Sequence, residues 1–405
     1  MSDKWRNLWL LMISVLLAKG LWFSAPAVVP QLTTEWDLTG SQQSWLTMTV
    51  QAGFVIGALV SAAINLADRV QPQFLLAASA FAGAMFNASI AVFADSADVV
   101  MVLRVLTGVC LAGVYPPGMK LVATWCKEDR GLGIGLLVGA LTIGSASPHL
   151  INALPFLGGE TGMPPWRSVL IVSSAFAVSG AAIAAAFVRP GSVLPATSQF
   201  SWHYATRALG DKPVRLANFG YLGHMWELYA MWAWIPLFLL TSYQQAGWSE
   251  TSARLIGFAI IAAGGVGSVI AGIWADRWGR TTVSIGSLLV SGTCCLFAGF
   301  LFDSPFLLTL LCLTWGLVIV ADSAQFSAAI TELTDPEHIG TALTVQTSLG
   351  FLLTMVSIWM IPPLVERIGW EWAFATLAIG PLFGIISMVR LRTLPEAMRM
   401  ASGNR

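Results

Sequence analysis

The stretch Gly272-Ile273-Trp274-Ala275-Asp276-Arg277-Trp278-Gly279-Arg280 sets three charges and a turn-forming glycine between two long apolar runs. A weaker copy, Asn65-Leu66-Ala67-Asp68-Arg69-Val70-Gln71-Pro72, stands 208 positions earlier, counted from Asp68 to Asp276. At that same offset Lys19 falls on Glu227, and both residues lie deep in apolar runs. The chain therefore reads as two related halves. Each carries one buried charge, of opposite sign, at a matching depth.

Of the 405 residues 56% are hydrophobic and 10% charged, more apolar surface than one water-soluble core can hide. Lipid is the implied solvent. Twelve runs, the first near 8–30 and the last near 371–391, are long enough to cross about 30 Å of hydrocarbon at about 1.5 Å per residue. The run at 8–30 is too long for a signal-peptide core and is expected to stay as the first span. One long polar connection, rich in Pro, Ser and Gly, separates six runs from six. The expectation is an all-α membrane protein: a six-helix bundle over 1–188, a cytoplasmic linker over 189–215 and a second six-helix bundle over 216–405.

Fifteen of the twenty-one Lys and Arg residues fall on the side of the membrane that carries both termini, and only Arg167, Arg254 and Arg367 fall in the opposite loops. The positive-inside rule then puts both termini in the cytoplasm of a multi-pass protein of the plasma (inner) membrane. Basic and acidic residues are equal in number, which gives nucleic acid nothing to bind. The five cysteines have no metal-ligand spacing and read as small packing residues. No nucleophile-base set, nucleotide loop or metal cluster points to an enzyme or a cofactor. Trp36, Trp45, Trp166, Trp248, Trp370 and Trp372 lie near the outer ends of the runs, where an interfacial aromatic belt is expected.

The loop 272–280 resembles the signature between helices 8 and 9 of the major facilitator superfamily of secondary transporters, and 65–69 its partner between helices 2 and 3, with Gln71 and Pro72 where Gly and Arg are expected. Arg104-Val105-Leu106-Thr107-Gly108 resembles that family's basic helix-4 motif. Gly135, Gly144 and Pro148 partly match its helix-5 export pattern, although Pro148 stands in the place of a glycine and His149 in that of the proline. More loosely, the Gly-rich helix 5 and the cationic interior are similar to the nitrate, nitrite and cyanate porter branch. The resemblance implies alternating access between two bundles. Asp68, Arg69, Gly272, Asp276, Arg277, Gly279 and Arg280 then form the conformational gate, with Gly279 making a tight turn and the charges bonding neighbouring helix ends.

A charge at the centre of a span costs roughly 2.5–3.5 kcal/mol, so Lys19, Arg104, Glu227 and Asp322 are the primary functional candidates. Lys19 and Glu227 are each about eleven residues into their runs, and helices 1 and 7 of the family both line its central cavity, so the two are expected to face one another there. Arg104 and Asp322 differ too much in depth to be partners, at about 1.5 Å per residue. His224 precedes Glu227 by three and shares its helix face, where a proton can pass between them. Asp322 has small neighbours suited to a helix-helix hydrogen bond, and Lys120 is placed to snorkel. Trp22 and Tyr115 supply aromatic walls. These features together lead us to expect a transporter that couples a small, anionic solute to protons, with Lys19, Trp22, Arg104, Tyr115 and His224 at the solute and Glu227 and Asp322 carrying protons. The rivals are a proton-driven exporter of amphiphilic compounds and, from another class, a transport-dead sensor. A monomer in lipid is expected.

Overall fold

The computed structural model describes residues 2–126, 129–154, 164–192 and 200–404, apart from the side chains of Asp68 and Arg207. The described chain is helical nearly throughout. Its first part holds α1 (Asp3–Phe23), α2 (Val29–Trp36), α3 (Gly40–Ala63), α4 (Leu66–Arg69), α5 (Pro72–Phe93), α6 (Ala97–Leu111), α7 (Tyr115–Trp125), α8 (Arg130–Asn152) and α9 (Trp166–Phe187). A short α10 (Trp202–Arg207) precedes α11 (Lys212–Gln245), α12 (Glu250–Trp278), α13 (Arg280–Ala298), α14 (Pro305–Ile319), α15 (Ser323–Leu333), α16 (Ile339–Ala373) and α17 (Ile379–Arg392).

The 208-residue offset reappears in these bounds. Adding 208 to both ends of α6 gives α14, and adding it to both ends of α7 gives α15. The fourth and tenth crossings are therefore broken at equivalent points, although Pro116 and Pro117 follow the first break and no proline lies in the second. Backbone outside a helix is tolerated at membrane depth only where protein or a cavity receives its polar groups.

Ten stretches of the described residues are long and apolar enough for a crossing. One of them, Pro336–Arg392, bends at Gly369 (φ +73°) and holds two crossings, and α11, more polar, completes the twelve. Large apolar side chains face outward along the helices, among them Phe93, Phe306 and Ile379, each more than 60% exposed. An apolar girdle of this extent requires lipid. Trp166 is an exception among the expected belt residues: it is buried, and its Nε1 donates to Glu35 Oε2 at 2.6 Å.

The halves meet along two seams. On one, α8 crosses α12 so closely that a Cβ at Gly135 would lie 2.8 Å from the Ser268 carbonyl oxygen, and one at Gly272 2.6 Å from the Gly131 oxygen. Ser268 Oγ donates to the Gly135 carbonyl at 3.0 Å. These contacts run from midplane to the face where α1 begins and α17 ends, called here the terminal face. On the other seam, between α3 and α16, Thr354 Oγ1 donates to Gln51 Oε1 at 2.6 Å and the rings of Phe54 and Phe351 lie 4.7 Å apart. Towards the far face α8 and α12 enclose a crevice with α11 and the turn after α1.

Candidate functional site

The centre of the molecule is an aromatic cluster joining the halves. Trp22 of α1 contacts Phe54, Phe351 and Tyr229 at centroid distances of 5.2, 5.1 and 6.0 Å, and Phe23 stacks on Tyr229 at 6.3 Å. Lys19, one turn before Trp22, holds its ammonium 3.4 Å from the Trp22 ring centroid and 5.9 Å from that of Phe54. Its side chain is buried. Among the described residues it makes no ion pair, so the ring face is its principal electrostatic partner.

The expected pairing of Lys19 with Glu227 does not form. Glu227 is turned into its own half, where Trp315 Nε1 and Cys295 Sγ donate to Oε1 at 2.5 and 3.1 Å and Ser291 Oγ donates to Oε2 at 2.9 Å. Equal depth along two helices fixes height and leaves the direction around each axis free. Cys295, expected only to pack, is one of the donors, and Ser291 was not anticipated. Their spacing of four places them on one face of α13 and is the sequence signal for this cradle.

Nor does His224 share a hydrogen bond with Glu227. Its Nδ1 lies 2.8 Å from Asp322 Oδ1, and its Nε2 is 2.7 Å from Ser323 Oγ. Asp322 occupies the break between α14 and α15 and is 1% exposed. The His224 contact is at ion-pair distance but poorly directed, so neither carboxylate oxygen receives a well-aligned hydrogen bond. At the equivalent break in the first half Tyr115, the first residue of α7, has its hydroxyl near Ser327 of α15, in the other half. Tyr115 thus stands at the meeting of the two broken helices.

Arg104 was expected to touch the solute or couple it. Its guanidinium is fully buried and donates to backbone: Nη1 to Leu21 O at 2.7 Å, Nη2 to Trp22 O at 2.5 Å and Nε to Leu46 O at 3.3 Å. The physical reason lies four residues past Trp22. Pro26 has no N–H to return to that carbonyl, and Arg104 replaces it. In this structure Arg104 therefore ties the end of α1, which carries Lys19 and Trp22, to α6.

At the terminal face Gly279 takes φ +92°, the turn expected of it. Arg280 is buried and reaches Asp276 (2.8 Å), Glu332 (3.0 Å) and Gln325 (3.2 Å). A Cβ at Gly131, in the first turn of α8, would fall 2.4 Å from Asp276 Oδ1. The Asp276 carboxylate therefore sits on the positive end of a helix from the other half. Arg277 and Arg69 are exposed, and the side chain of Asp68 lies outside the described residues. Lys120 Nζ donates to Ala67 O at 2.9 Å, tying α7 to the first loop. Glu332, not anticipated from the sequence, completes the Arg280 network.

Two broken helices at equivalent positions, a charged loop clasping the opposite bundle and a solute-sized crevice on the other face are the parts of an alternating-access carrier. The sequence profile of the Major Facilitator Superfamily matches residues 10–243 and 217–403. The chain belongs to the major facilitator superfamily. Among solved structures it is similar to the proton:xylose symporter XylE bound to 6-bromo-6-deoxy-D-glucose, at 13% sequence identity and a TM-score of 0.75, over 96% of this chain and 95% of that one. The likeness establishes the fold. As a superfamily member the chain is a multi-pass secondary transporter.

Proposed function

We propose that this transporter moves a small organic anion together with protons, by alternating access around the aromatic junction. The observation that carries the reading is Lys19: a buried ammonium at the meeting of the halves, compensated by a ring and by no carboxylate. Such a cation attracts an anion, and the surrounding rings suit a planar or apolar body. The His224–Asp322 pair at the helix break and Glu227 in its cradle are the proton carriers. The protein acts as a monomer in the inner membrane with its termini in the cytoplasm, so the far-face crevice opens outward.

We keep the solute organic rather than assign it to the nitrate, nitrite and cyanate porters. The helix-5 glycines behind that likeness serve the crossing with α12, and an inorganic ion leaves the ring walls unmatched. An exporter of amphiphilic compounds is the second reading, favoured by the breadth of the ring cluster around Trp22. Proteoliposomes under an inward proton gradient distinguish them: we expect benzoate to accumulate in wild type, and Glu227→Gln to lose accumulation while retaining benzoate exchange. Absence of any flux despite ligand binding identifies a sensor. Normal proton-driven uptake by Glu227→Gln removes that residue from the coupling.

A further inference from the structure

The far-face crevice, about 190 Å³, equals the space of about six waters at about 30 Å³ each. Its walls are mostly apolar, with Pro26 and Pro30 on one side and Trp234, Pro236 and Leu237 on the other. Two polar side chains on it stand out. His149 is 6% exposed, and among the described residues its ring makes no hydrogen bond, with Nε2 buried and unpartnered. Arg254, from the second turn of α12, has a side chain only 12% exposed and, among the described residues, one ion pair, Nη2 to Glu250 Oε2 at 2.6 Å within its own helix. A guanidinium has five donor hydrogens, so Glu250 leaves capacity for a second acceptor. Asn152, also on the wall, has both amide atoms engaged, with Gln31 and Ala27. Among the described residues the unmet hydrogen-bonding capacity of the crevice therefore includes one imidazole, the buried Thr33 hydroxyl and one partly committed cation.

The crevice is separate from Lys19. Phe23 stands between them, its ring 6.4 Å from His149 on one side and stacked on Tyr229, which meets Trp22, on the other.

We infer that the crevice is a second solute site, an antechamber in which a small monocarboxylate with an apolar body waits above Phe23, its carboxylate held by Arg254 and His149. The inference rests on the organic-anion reading above and adds a position before the Lys19 junction. Two sites of one charge preference in series let a solute leave the first for the second without crossing bare hydrocarbon.

Calorimetric titration of the purified full-length protein with benzoate tests it, with benzamide and benzylammonium as neutral and cationic counterparts. Wild type is expected to bind two benzoates per chain, and to bind the two counterparts at least tenfold more weakly. Arg254→Gln is expected to retain one benzoate, and His149→Phe, which keeps the ring, to weaken that same site several-fold, with melting temperatures near wild type. Lys19→Gln is expected to retain only the antechamber. A wild-type stoichiometry of one that survives Arg254→Gln and disappears in Lys19→Gln overturns the antechamber and leaves the central reading standing. Binding lost in Arg254→Gln and untouched by Lys19→Gln does the opposite. Absence of benzoate binding to wild type overturns the antechamber as a monocarboxylate site.

Discussion

Lys19 rests its ammonium 3.4 Å over the ring of Trp22, three residues along the same helix, while Glu227 looks away into its own bundle. The ring contributes about 0.5–2 kcal/mol to such a cation, less than the roughly 2.5–3.5 kcal/mol a charge costs at that depth. The Lys19–Trp22 contact thus offsets burial only in part. Lys19→Gln is accordingly expected to melt at or above the wild-type temperature in detergent. Stabilisation by benzoate should fall as for a loss of at least tenfold in affinity, about 1.4 kcal/mol. A large drop in melting temperature without ligand would mean that Lys19 holds the fold rather than the solute.

Arg104 and Pro26 make a second, sharper test. Arg104→Gln leaves the Trp22 carbonyl without a donor, at about 1–3 kcal/mol for a buried group so orphaned, whereas the Leu21 carbonyl keeps the Ser24 hydroxyl and the Leu46 carbonyl lies inside α3. Denaturation should register the loss at Trp22 as a marked fall in melting temperature. In that background Pro26→Ala restores an N–H four residues beyond Trp22 and should recover part of the loss. In wild type the same change should give no comparable gain. Equal effects in both backgrounds would separate Arg104 from the proline break.

The repeat was legible to the residue, because the loops 65–72 and 272–280 anchor an offset that α6 and α14, and α7 and α15, then obey at both ends. Span number and the burial of Lys19, Arg104, Glu227 and Asp322 were legible because apolar length and ionisable residues inside it are written in the sequence, and the Gly279 turn because glycine there follows a helix. The partners were not. Lys19 and Glu227 share a height, but each side chain's direction depends on helix rotation and on neighbours 60 to 90 positions away, such as Ser291 and Trp315. The near relation of His224 and Glu227 misled likewise, since the histidine turns to Asp322 at a break that no proline announces. Arg104 resembled a motif residue, yet the structure gives its hydrogen bonds to carbonyls.

The His224–Asp322 pair predicts where proton coupling fails. Asp322 has no well-aligned donor on either oxygen, so Asp322→Asn removes a charge without orphaning a strong hydrogen bond. Folding should survive. Proton-driven benzoate uptake should fall at least tenfold, with exchange retained and its dependence on pH flattened. His224→Gln, which keeps a partner for Ser323, should flatten the same profile. Unchanged profiles in both variants would move the coupling to Glu227 alone.

The segment after α17 docks on the charged network around Asp276 and Arg280 at the terminal face. Pro395–Gly403 buries Ala397 and Met400 against the bundle, and the Ala401 N–H donates to Glu332 Oε2 at 3.0 Å while Asn404 Nδ2 donates to Asp276 O at 3.2 Å. Glu332 thus serves Arg280 and the tail together, which links docking of the tail to the Arg280–Glu332 bridge. Ala401 and Ser402 hold φ of +45° and +57°, a region that costs a non-glycine residue roughly 1–2 kcal/mol. Docking therefore works against local strain and should release readily once Glu332 is withdrawn. In Glu332→Gln the amide still accepts one hydrogen bond but loses its charge towards Arg280, and limited proteolysis after Arg399 should quicken several-fold relative to wild type. Ala401→Gly with Ser402→Gly should slow it by relieving the strain. Equal cleavage of all three proteins would mean that the tail sits on the gate without sensing it.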